Sequence, residues 1–160
     1  MTYRFLDSPV GGLLLARDEA GLRLIHFVDG RHRRSPPAEW QEDQTAFDDV
    51  AAQLGEYFAG ARRNFDVPLA PQGTPFQQRV WRALLDIPYG ETISYGELAA
   101  RIGQRTASRA VGLANGSNPI SIVIPCHRVI GANGNLTGYG GGLPVKQQLL
   151  ALERGERRLL

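Results

Sequence analysis

A short cluster of proline and glycine, Pro71-Gln72-Gly73-Thr74-Pro75, divides the 160-residue chain into two parts of different character. Residues 1–70 carry a net charge of −3 and begin with short strand patterns, whereas residues 71–160 carry +5 and show helical spacing of apolar residues. Proline and glycine punctuate structure because proline lacks a backbone donor and glycine accepts unusual backbone angles. We therefore predict an α+β chain with an N-terminal domain over residues 1–70 and a C-terminal domain over residues 71–160.

The sequence of the N-terminal part predicts a small antiparallel sheet followed by a helix. Residues 3–6, 13–16 and 22–27 are prone to form strands and are separated by turn-rich segments. A helix is predicted over residues 46–59 with Thr45 as its cap, and its apolar residues share one face at helical spacing. These residues are Phe47, Val50, Leu54, Tyr57 and Phe58. A further strand is predicted over residues 65–69, where Pro68 marks a strand end or edge.

The sequence of the C-terminal part predicts four helices, of which the middle two form a helix-turn-helix. Thr74 and Pro75 suit the cap and first position of a helix that runs to about residue 85. Ser94 can cap a second helix to residue 102, and a short turn containing Gly103 leads to a third helix ending near residue 115. The last helix is predicted over residues 144–154.

The third helix is unusually rich in small residues. These residues are Ala107, Ser108, Ala110, Gly112, Ala114 and Gly116. They permit tight packing between helices, or alternatively close approach of the helix to a narrow groove. Arg109, with Arg105 in the preceding turn, is the long polar side chain here, and one projecting Arg suits minor-groove contact and insertion into a base stack. Alternatively, Arg109 is simply solvated. The positive charge of the second half favours a polyanionic partner.

The single cysteine lies in the segment Ile124-Pro125-Cys126-His127-Arg128-Val129, directly after an apolar, strand-prone run at residues 120–124. A nearby imidazole or guanidinium favours the thiolate, so Cys126 is a candidate nucleophile at the end of a buried strand. The alternative is a small buried apolar residue. Adjacent side chains of an extended segment point to opposite faces, so a water would have to connect Cys126 with His127.

An acid could orient His127 from its other ring nitrogen. Glu153 in the last helix is the candidate, and Asp86, Glu91 and Glu97 remain open as alternatives. The glycine-rich segment at residues 131–142 lacks a phosphate-loop pattern, but it can offer backbone N–H groups at close range.

One cysteine excludes an internal disulfide and a cysteine-built metal site, and it suits a reducing compartment. The three histidines, His26, His32 and His127, are scattered. No signal sequence or membrane-spanning run is present, so we predict a cytoplasmic protein that needs no metal, no cofactor and no membrane.

Over residues 74–153 the motifs resemble the O6-alkylguanine-DNA alkyltransferases, also called methylated-DNA–protein-cysteine methyltransferases. The resemblance depends on the Pro-Cys-His-Arg-Val core and on five supporting motifs in the same order. These motifs are Phe76-Gln77 with Val80-Trp81, Pro88-Tyr89-Gly90-Glu91-Thr92, Ser94-Tyr95, Arg109-Ala110-Val111-Gly112 and Asn118-Pro119. The resemblance implies a ribonuclease-H-like small sheet with a helix for the N-terminal domain, which would mainly support the second domain. It implies an all-helical, winged helix-turn-helix-like domain for DNA binding and catalysis at the C-terminus.

The activity implied by the resemblance is DNA repair by direct reversal of damage. An alkyl group of O6-alkylguanine, or of O4-alkylthymine, in a flipped-out nucleotide of duplex DNA would pass irreversibly to the protein's own cysteine. Each molecule would act once, as a suicidal methylated-DNA–[protein]-cysteine S-methyltransferase. The partner would be double-stranded DNA bound by a monomer, with cooperative binding along DNA left open.

The resemblance also implies residue roles. Cys126 would accept the alkyl group, and His127, through a water, and Glu153 would form the relay that yields the thiolate. Asn118 would hold the turn that frames the site, and Tyr95 would crowd a phosphate and help protonate the leaving guanine. Arg109 would fill the vacated space in the base stack. The remaining DNA contacts would come from Ser94, Arg105, Ala110 and Gly112. The pocket would use the carbonyls of Cys126 and Val129, the ring of Tyr139 and the N–H of Gly140, where some relatives have serine.

Three rival functions follow from the same residues. A relative that recognises lesions without transfer would lack the acceptor cysteine, which Cys126 argues against. A winged-helix regulator would leave His127 without a role. A Cys/His hydrolase would turn over many times, and no local hydrolase signature surrounds Cys126.

Overall fold

A four-stranded sheet begins the chain in the computed structural model, which describes residues 1–29, 35–136 and 138–160. Strands β1 (Thr2–Leu6), β2 (Leu13–Asp18) and β3 (Gly21–Phe27) form the predicted antiparallel meander. The short strand β4 (Gln41–Glu42) pairs with β1 in parallel, which makes the strand order β3-β2-β1-β4. The expected meander is thus confirmed, and β4 extends it into a mixed sheet.

The helix expected after the sheet is present as a 3₁₀ turn, Thr45–Phe47, followed by α1 (Asp48–Phe58). Its five predicted inward-facing residues are all buried, as their helical spacing requires. The proposed cap was wrong, because α1 has no side-chain cap and Thr45 is itself a donor. The carboxylate of Asp43 accepts from the Thr45 backbone N–H and hydroxyl, at 3.1 and 3.0 Å, and turns the chain into the helix.

The prediction of a strand over residues 65–69 was wrong, since this segment makes only an isolated bridge between Leu69 and Leu22. The Leu22 N–H donates to the Pro68 carbonyl at 2.8 Å, and the Ala70 N–H donates to the Leu22 carbonyl at 2.8 Å. Proline has no N–H to continue such a ladder, so the pairing stops after one step.

The second half contains the helices α2 (Pro75–Leu85), α3 (Tyr95–Arg101), α4 (Ser108–Gly116) and α5 (Leu143–Glu153). Thr74 caps α2 in a reciprocal capping box with Gln77, as predicted for its start. The α+β class is confirmed, but the second half is not entirely helical. Strands β5 (Ile93–Ser94) and β6 (Val129–Ile130) pair in parallel and bring the start of α3 beside the segment that follows Cys126.

The two halves share one hydrophobic core, which runs from the sheet through α1 and α2 to α5. The Trp81 indole of α2 donates to the Ala114 carbonyl at 2.8 Å and fixes α4 against α2. Within the described ranges, no helix combines the length and the hydrophobicity needed to cross a membrane.

Candidate active site

The cysteine lies at the start of a 3₁₀ turn, Cys126–Arg128, and not at the end of a strand as predicted. Residues 120–124 form a turn in which Ile122 has a left-handed backbone with φ of 72°, which is strained for a branched residue. The Ile25 N–H donates to the Pro119 carbonyl at 3.0 Å, and the Ser121 N–H donates to the Ile25 carbonyl at 3.1 Å. The apolar run is therefore buried as a turn that packs on β3. Hydrophobic periodicity alone cannot distinguish a buried turn from a buried strand.

The side chain of Asn118 holds this turn by two hydrogen bonds. Its amide nitrogen donates to the Ile124 carbonyl at 2.8 Å, and its amide oxygen accepts from the Ile120 N–H at 3.0 Å. Because Ile124 precedes Cys126 by two residues, and accepts the Cys126 N–H at 2.8 Å, Asn118 sets the position of the thiol through the backbone. Such local side-chain bonds stabilise turns that the backbone would not adopt alone.

Cys126 is buried, with 6% of its surface exposed. Burial raises the pKa of its thiol above the ordinary value, and the opposing effects of the Asn118 side chain and the Lys146 charge do not outweigh it. The resting group is therefore the neutral thiol, and a base must take its proton when it reacts. The neighbouring guanidinium of Arg128, which the sequence offered as an activator, is engaged with Glu153 instead.

His127 and Glu153 form a buried pair, with His127 Nε2 at 2.7 Å from Glu153 Oε2. Burial alone would raise the pKa of Glu153, but hydrogen bonds and charges from His127 and Arg128 hold it well below its ordinary range. A charged carboxylate accepts, so Nε2 carries a proton, and Nδ1 is the ring nitrogen that remains to accept another. Among the described residues, Nδ1 has no hydrogen-bond partner although it is fully buried.

Two further residues complete the surroundings of Glu153: Tyr57, which the sequence placed only in the core, and Arg128, which it offered as an activator of Cys126. The Tyr57 hydroxyl donates to Glu153 Oε2 at 2.6 Å. Arg128 donates to both carboxylate oxygens, from Nε to Oε1 at 2.7 Å and from Nη2 to Oε2 at 3.0 Å. Arg128 also donates to the Ile87 carbonyl at 2.7 Å, so its charge is held on both sides. The three alternative acids are exposed on the surface, and one of them, Glu97, pairs with Arg101 at 3.3 Å. Geometry therefore selects Glu153.

Lys146, the single lysine of the chain, is a further buried residue of the site that sequence reasoning missed. Its Nζ donates to the Val129 carbonyl at 2.7 Å, and Asn115 Nδ2 lies 3.4 Å from the Cys126 carbonyl. These carbonyls are the two that the resemblance assigned to the substrate pocket. A carbonyl has two lone pairs, so each can accept a second donor. A lysine inside the apolar pattern of α5 was the available sequence signal.

Tyr139 and Gly140 lie on the glycine-rich segment at the edge of the site. The Tyr139 ring is buried and meets the rings of Phe27 and His127 edge-on, at centroid distances of 5.5 and 6.5 Å. Burial raises the pKa of Tyr139 well above its ordinary value, so its hydroxyl stays protonated. A Cβ at Gly140 meets no described atom within 4 Å, so the serine that the resemblance implies for some relatives would fit here. Thr137, in the same segment, lies outside the described residues.

The helix-turn-helix formed by α3 and α4 stands next to the cysteine. Ser94 caps α3 by accepting the Glu97 N–H at 3.1 Å, as predicted. The side chains of Arg105, Arg109 and Ala110 are exposed, whereas Gly112 packs under Tyr95, where a Cβ would stand 3.7 Å from the ring. Gly112 therefore fits the packing interpretation of the small residues, and the approach of the exposed positions to a narrow groove stays a prediction.

No cluster of three or more His, Cys, Asp or Glu side chains that could hold a metal ion occurs among residues 1–29, 35–136 and 138–160. His32 is outside these ranges. His127 is engaged with Glu153, as described above.

Comparison with known proteins agrees with this geometry along the whole chain. The family model "6-O-methylguanine DNA methyltransferase, DNA binding domain" matches residues 75–155, and the model "6-O-methylguanine DNA methyltransferase, ribonuclease-like domain" matches residues 1–71. A methylated-DNA–protein-cysteine methyltransferase of Methanosarcina acetivorans is 55% identical over 96% of this chain and 98% of its own. One from Mycolicibacterium paratuberculosis is 58% identical over 95% of this chain and 92% of its own.

A solved structure shows the same fold. The crystal structure of Mycobacterium tuberculosis OGT in complex with DNA superposes with a TM-score of 0.92 and is 52% identical, covering 99% of this chain and 96% of that one. Both halves of the chain are thus matched by family models, and relatives more than half identical span nearly its full length. The chain belongs to the 6-O-methylguanine DNA methyltransferase family.

Proposed function

We propose that this protein repairs DNA by direct reversal, transferring an alkyl group from O6 of guanine, and from O4 of thymine, to Sγ of Cys126. The observation that carries the proposal is a single buried cysteine beside a buried His127–Glu153 pair, next to a helix-turn-helix. Family membership and the names of the relatives support it. The protein binds duplex DNA as a monomer and needs no cofactor.

His127 is the base that activates the thiol. Its Nδ1 accepts the Cys126 proton through a bridging water, while Nε2 stays hydrogen-bonded to the charged Glu153 carboxylate. The imidazolium that forms is stabilised by this carboxylate, which Arg128 holds in place. A thiol whose pKa is raised by burial stays unreactive until the base acts, which keeps the nucleophile intact between encounters.

The transfer step is a displacement at the saturated alkyl carbon. A bond forms between Sγ and this carbon, the bond between the carbon and O6 breaks, and its electron pair remains on the guanine. Tyr95 supplies a proton to the leaving guanine. The proton that His127 took from the thiol then replaces the one that Tyr95 gave up, so both side chains return to their starting state. The product is a thioether that water does not cleave, so each molecule acts once.

The target base must leave the duplex because O6 lies inside the stack. Unstacking costs a few kcal/mol, and the cost is lower for a damaged, mispaired base. Arg109 projects from the exposed face of α4 and fills the space that the base leaves, while Tyr95 crowds the neighbouring phosphate. Ser94, Arg105 and Ala110 belong to the same DNA-facing surface, and Gly112 lies beside it under the Tyr95 ring.

Intact-protein mass spectrometry tests this proposal. After incubation with duplex DNA that contains one O6-methylguanine, the protein should gain the mass of one methyl group. The gain should saturate at one per molecule and map to Cys126 in a proteolytic digest. Tight binding of the same DNA without any gain in mass would instead indicate a lesion-recognition or regulatory protein.

Replacing Arg109 by alanine should slow repair of duplex DNA by a factor of roughly ten to one hundred, since one stacking or charged contact is worth about 1–3 kcal/mol. Its reaction with free O6-benzylguanine should stay within about twofold of the wild type, because a free base needs no flipping. Single-turnover rates on both substrates measure this difference. Arg154→Ala, which removes an exposed charge at the end of α5, serves as the control. Equal losses on both substrates would remove the role in the base stack.

A further inference from the structure

Leu113 is the most exposed large apolar side chain of the described residues, with 73% of its surface open. The next is Leu160, at the very end of the chain, with 65%, and the others do not exceed 46%. A single exposed leucine is common on protein surfaces, so exposure alone indicates no function. The position of Leu113 in α4, and the residues that surround it there, are what distinguish it.

Leu113 stands at the centre of the exposed side of α4. Residues three and four apart are neighbours on a helix surface, so Leu113 lies between Arg109 and Ala110 on one side and Gly116 on the other. All of these positions are exposed, whereas Val111 and the following buried residues face the core. Because Ala110 and Gly116 are small, the Leu113 side chain protrudes beyond them.

Helix α4 is anchored to its neighbours, so this protrusion is held in place. The Ala114 carbonyl accepts from the Trp81 indole at 2.8 Å, and the Ser117 hydroxyl accepts from Gln77 Nε2 at 3.2 Å. Gly112 is covered by the Tyr95 ring. A leucine on a helix anchored in this way cannot withdraw into the core, and it presents an apolar wedge at a set distance from Arg109.

We infer that Leu113 is a second DNA-contacting wedge of α4, which enters the minor groove one turn from Arg109 and supports the opened base step. The inference rests on the proposed function and deepens it by adding a residue. Proteins that bind the minor groove often insert leucine or another apolar side chain beside arginine, and so stabilise an unstacked step. Two copies of this chain would fit the face less well, because Arg105 and Arg109 on it would repel each other.

The variant Leu113→Ala tests the inference. Alanine favours the helix and the side chain is exposed, so the fold should be kept. Affinity for duplex DNA that contains O6-methylguanine should fall roughly tenfold through lost apolar contact, while the rate with free O6-benzylguanine stays unchanged. The dependence of log affinity on log salt should keep its slope, since no charge is lost, whereas Arg109→Ala should make it shallower if Arg109 also neutralises a phosphate. Leu85→Ala, an exposed leucine of α2, is the matched control.

Each other outcome overturns the inference in a distinguishable way. If Leu113→Ala and Leu85→Ala bind DNA as the wild type does, while the wild type still gains one methyl group, Leu113 is not a DNA contact and the proposed function stands. If sedimentation shows that Leu113→Ala changes self-association but not DNA affinity, the face joins two copies of the chain. If the wild type gains no methyl group, the proposed function fails and the inference fails with it.

Discussion

Cys126→Ser is expected to reduce alkyl uptake from O6-methylguanine in duplex DNA below detection. A serine hydroxyl has a far higher pKa than a thiol, so the base that suffices for Cys126 cannot produce the alkoxide. The two side chains are nearly equal in size, and Cys126 is held by backbone hydrogen bonds that serine keeps. The fold and the DNA affinity should therefore stay close to those of the wild type. Intact-protein mass spectrometry and a binding titration on the same DNA measure both effects.

This variant also separates the rival functions. If the protein were a regulator that binds DNA without chemistry, the Cys126→Ser variant would behave as the wild type does in every assay. If it were a Cys/His hydrolase, the wild type would release product many times per molecule. If Cys126→Ser kept full repair activity, Cys126 would not be the nucleophile. The chain has no second cysteine to take its place.

Glu153→Gln is expected to lower the free energy of unfolding by about 3–5 kcal/mol, the usual cost of removing one partner from a buried ion pair. The Arg128 guanidinium would remain buried without its countercharge, although its bond to the Ile87 carbonyl would persist. The reaction with free O6-benzylguanine should slow as well, because the imidazolium of His127 loses the carboxylate that stabilises it. Urea unfolding measures the first effect, and single-turnover kinetics measures the second.

The exposed Glu156 provides the matched control. Its carboxylate pairs with Arg154 at 3.1 Å, and both side chains are about half exposed. Surface pairs of this kind contribute little, so Glu156→Gln should change the free energy of unfolding by less than about 1 kcal/mol. If Glu153→Gln and Glu156→Gln lowered the free energy of unfolding by similar amounts, the buried pairing of Glu153 with Arg128 would not be the cause of the loss.

The same carboxylate makes stability depend on pH in a definite direction. The pKa of Glu153 is lower in the folded protein than its ordinary value of 4.5, so the folded state binds fewer protons than the unfolded state in acid. The contribution of the charged Glu153 carboxylate to the free energy of unfolding is present in full above pH 4.5. It is lost as the pH falls from there toward the lower pKa of the folded protein. Glu153→Gln should remove this part of the acid sensitivity.

Local sequence signals sufficed for the helices of the second half. The capping box of Thr74 and Gln77, the cap at Ser94 and the glycine after α3 act within one turn of the chain, and each helix begins and ends within about two residues of its prediction. The segments at residues 65–69 and 120–124 were predicted wrongly as strands. An apolar, branched run is buried in either conformation, and its partners on β3 are distant in sequence.

The sequence by itself determined the α+β order of elements, the helix-turn-helix and the single cysteine with histidine beside it, because these depend on composition and on neighbours within a few residues. Only the tertiary structure decided which acid meets His127, that Arg128 supports Glu153 rather than Cys126, and that Lys146 is buried against the Val129 carbonyl. These contacts join residues that are 17 to 26 positions apart along the chain. They form because burial obliges each charged group to find a partner, and the fold determines which partner is within reach.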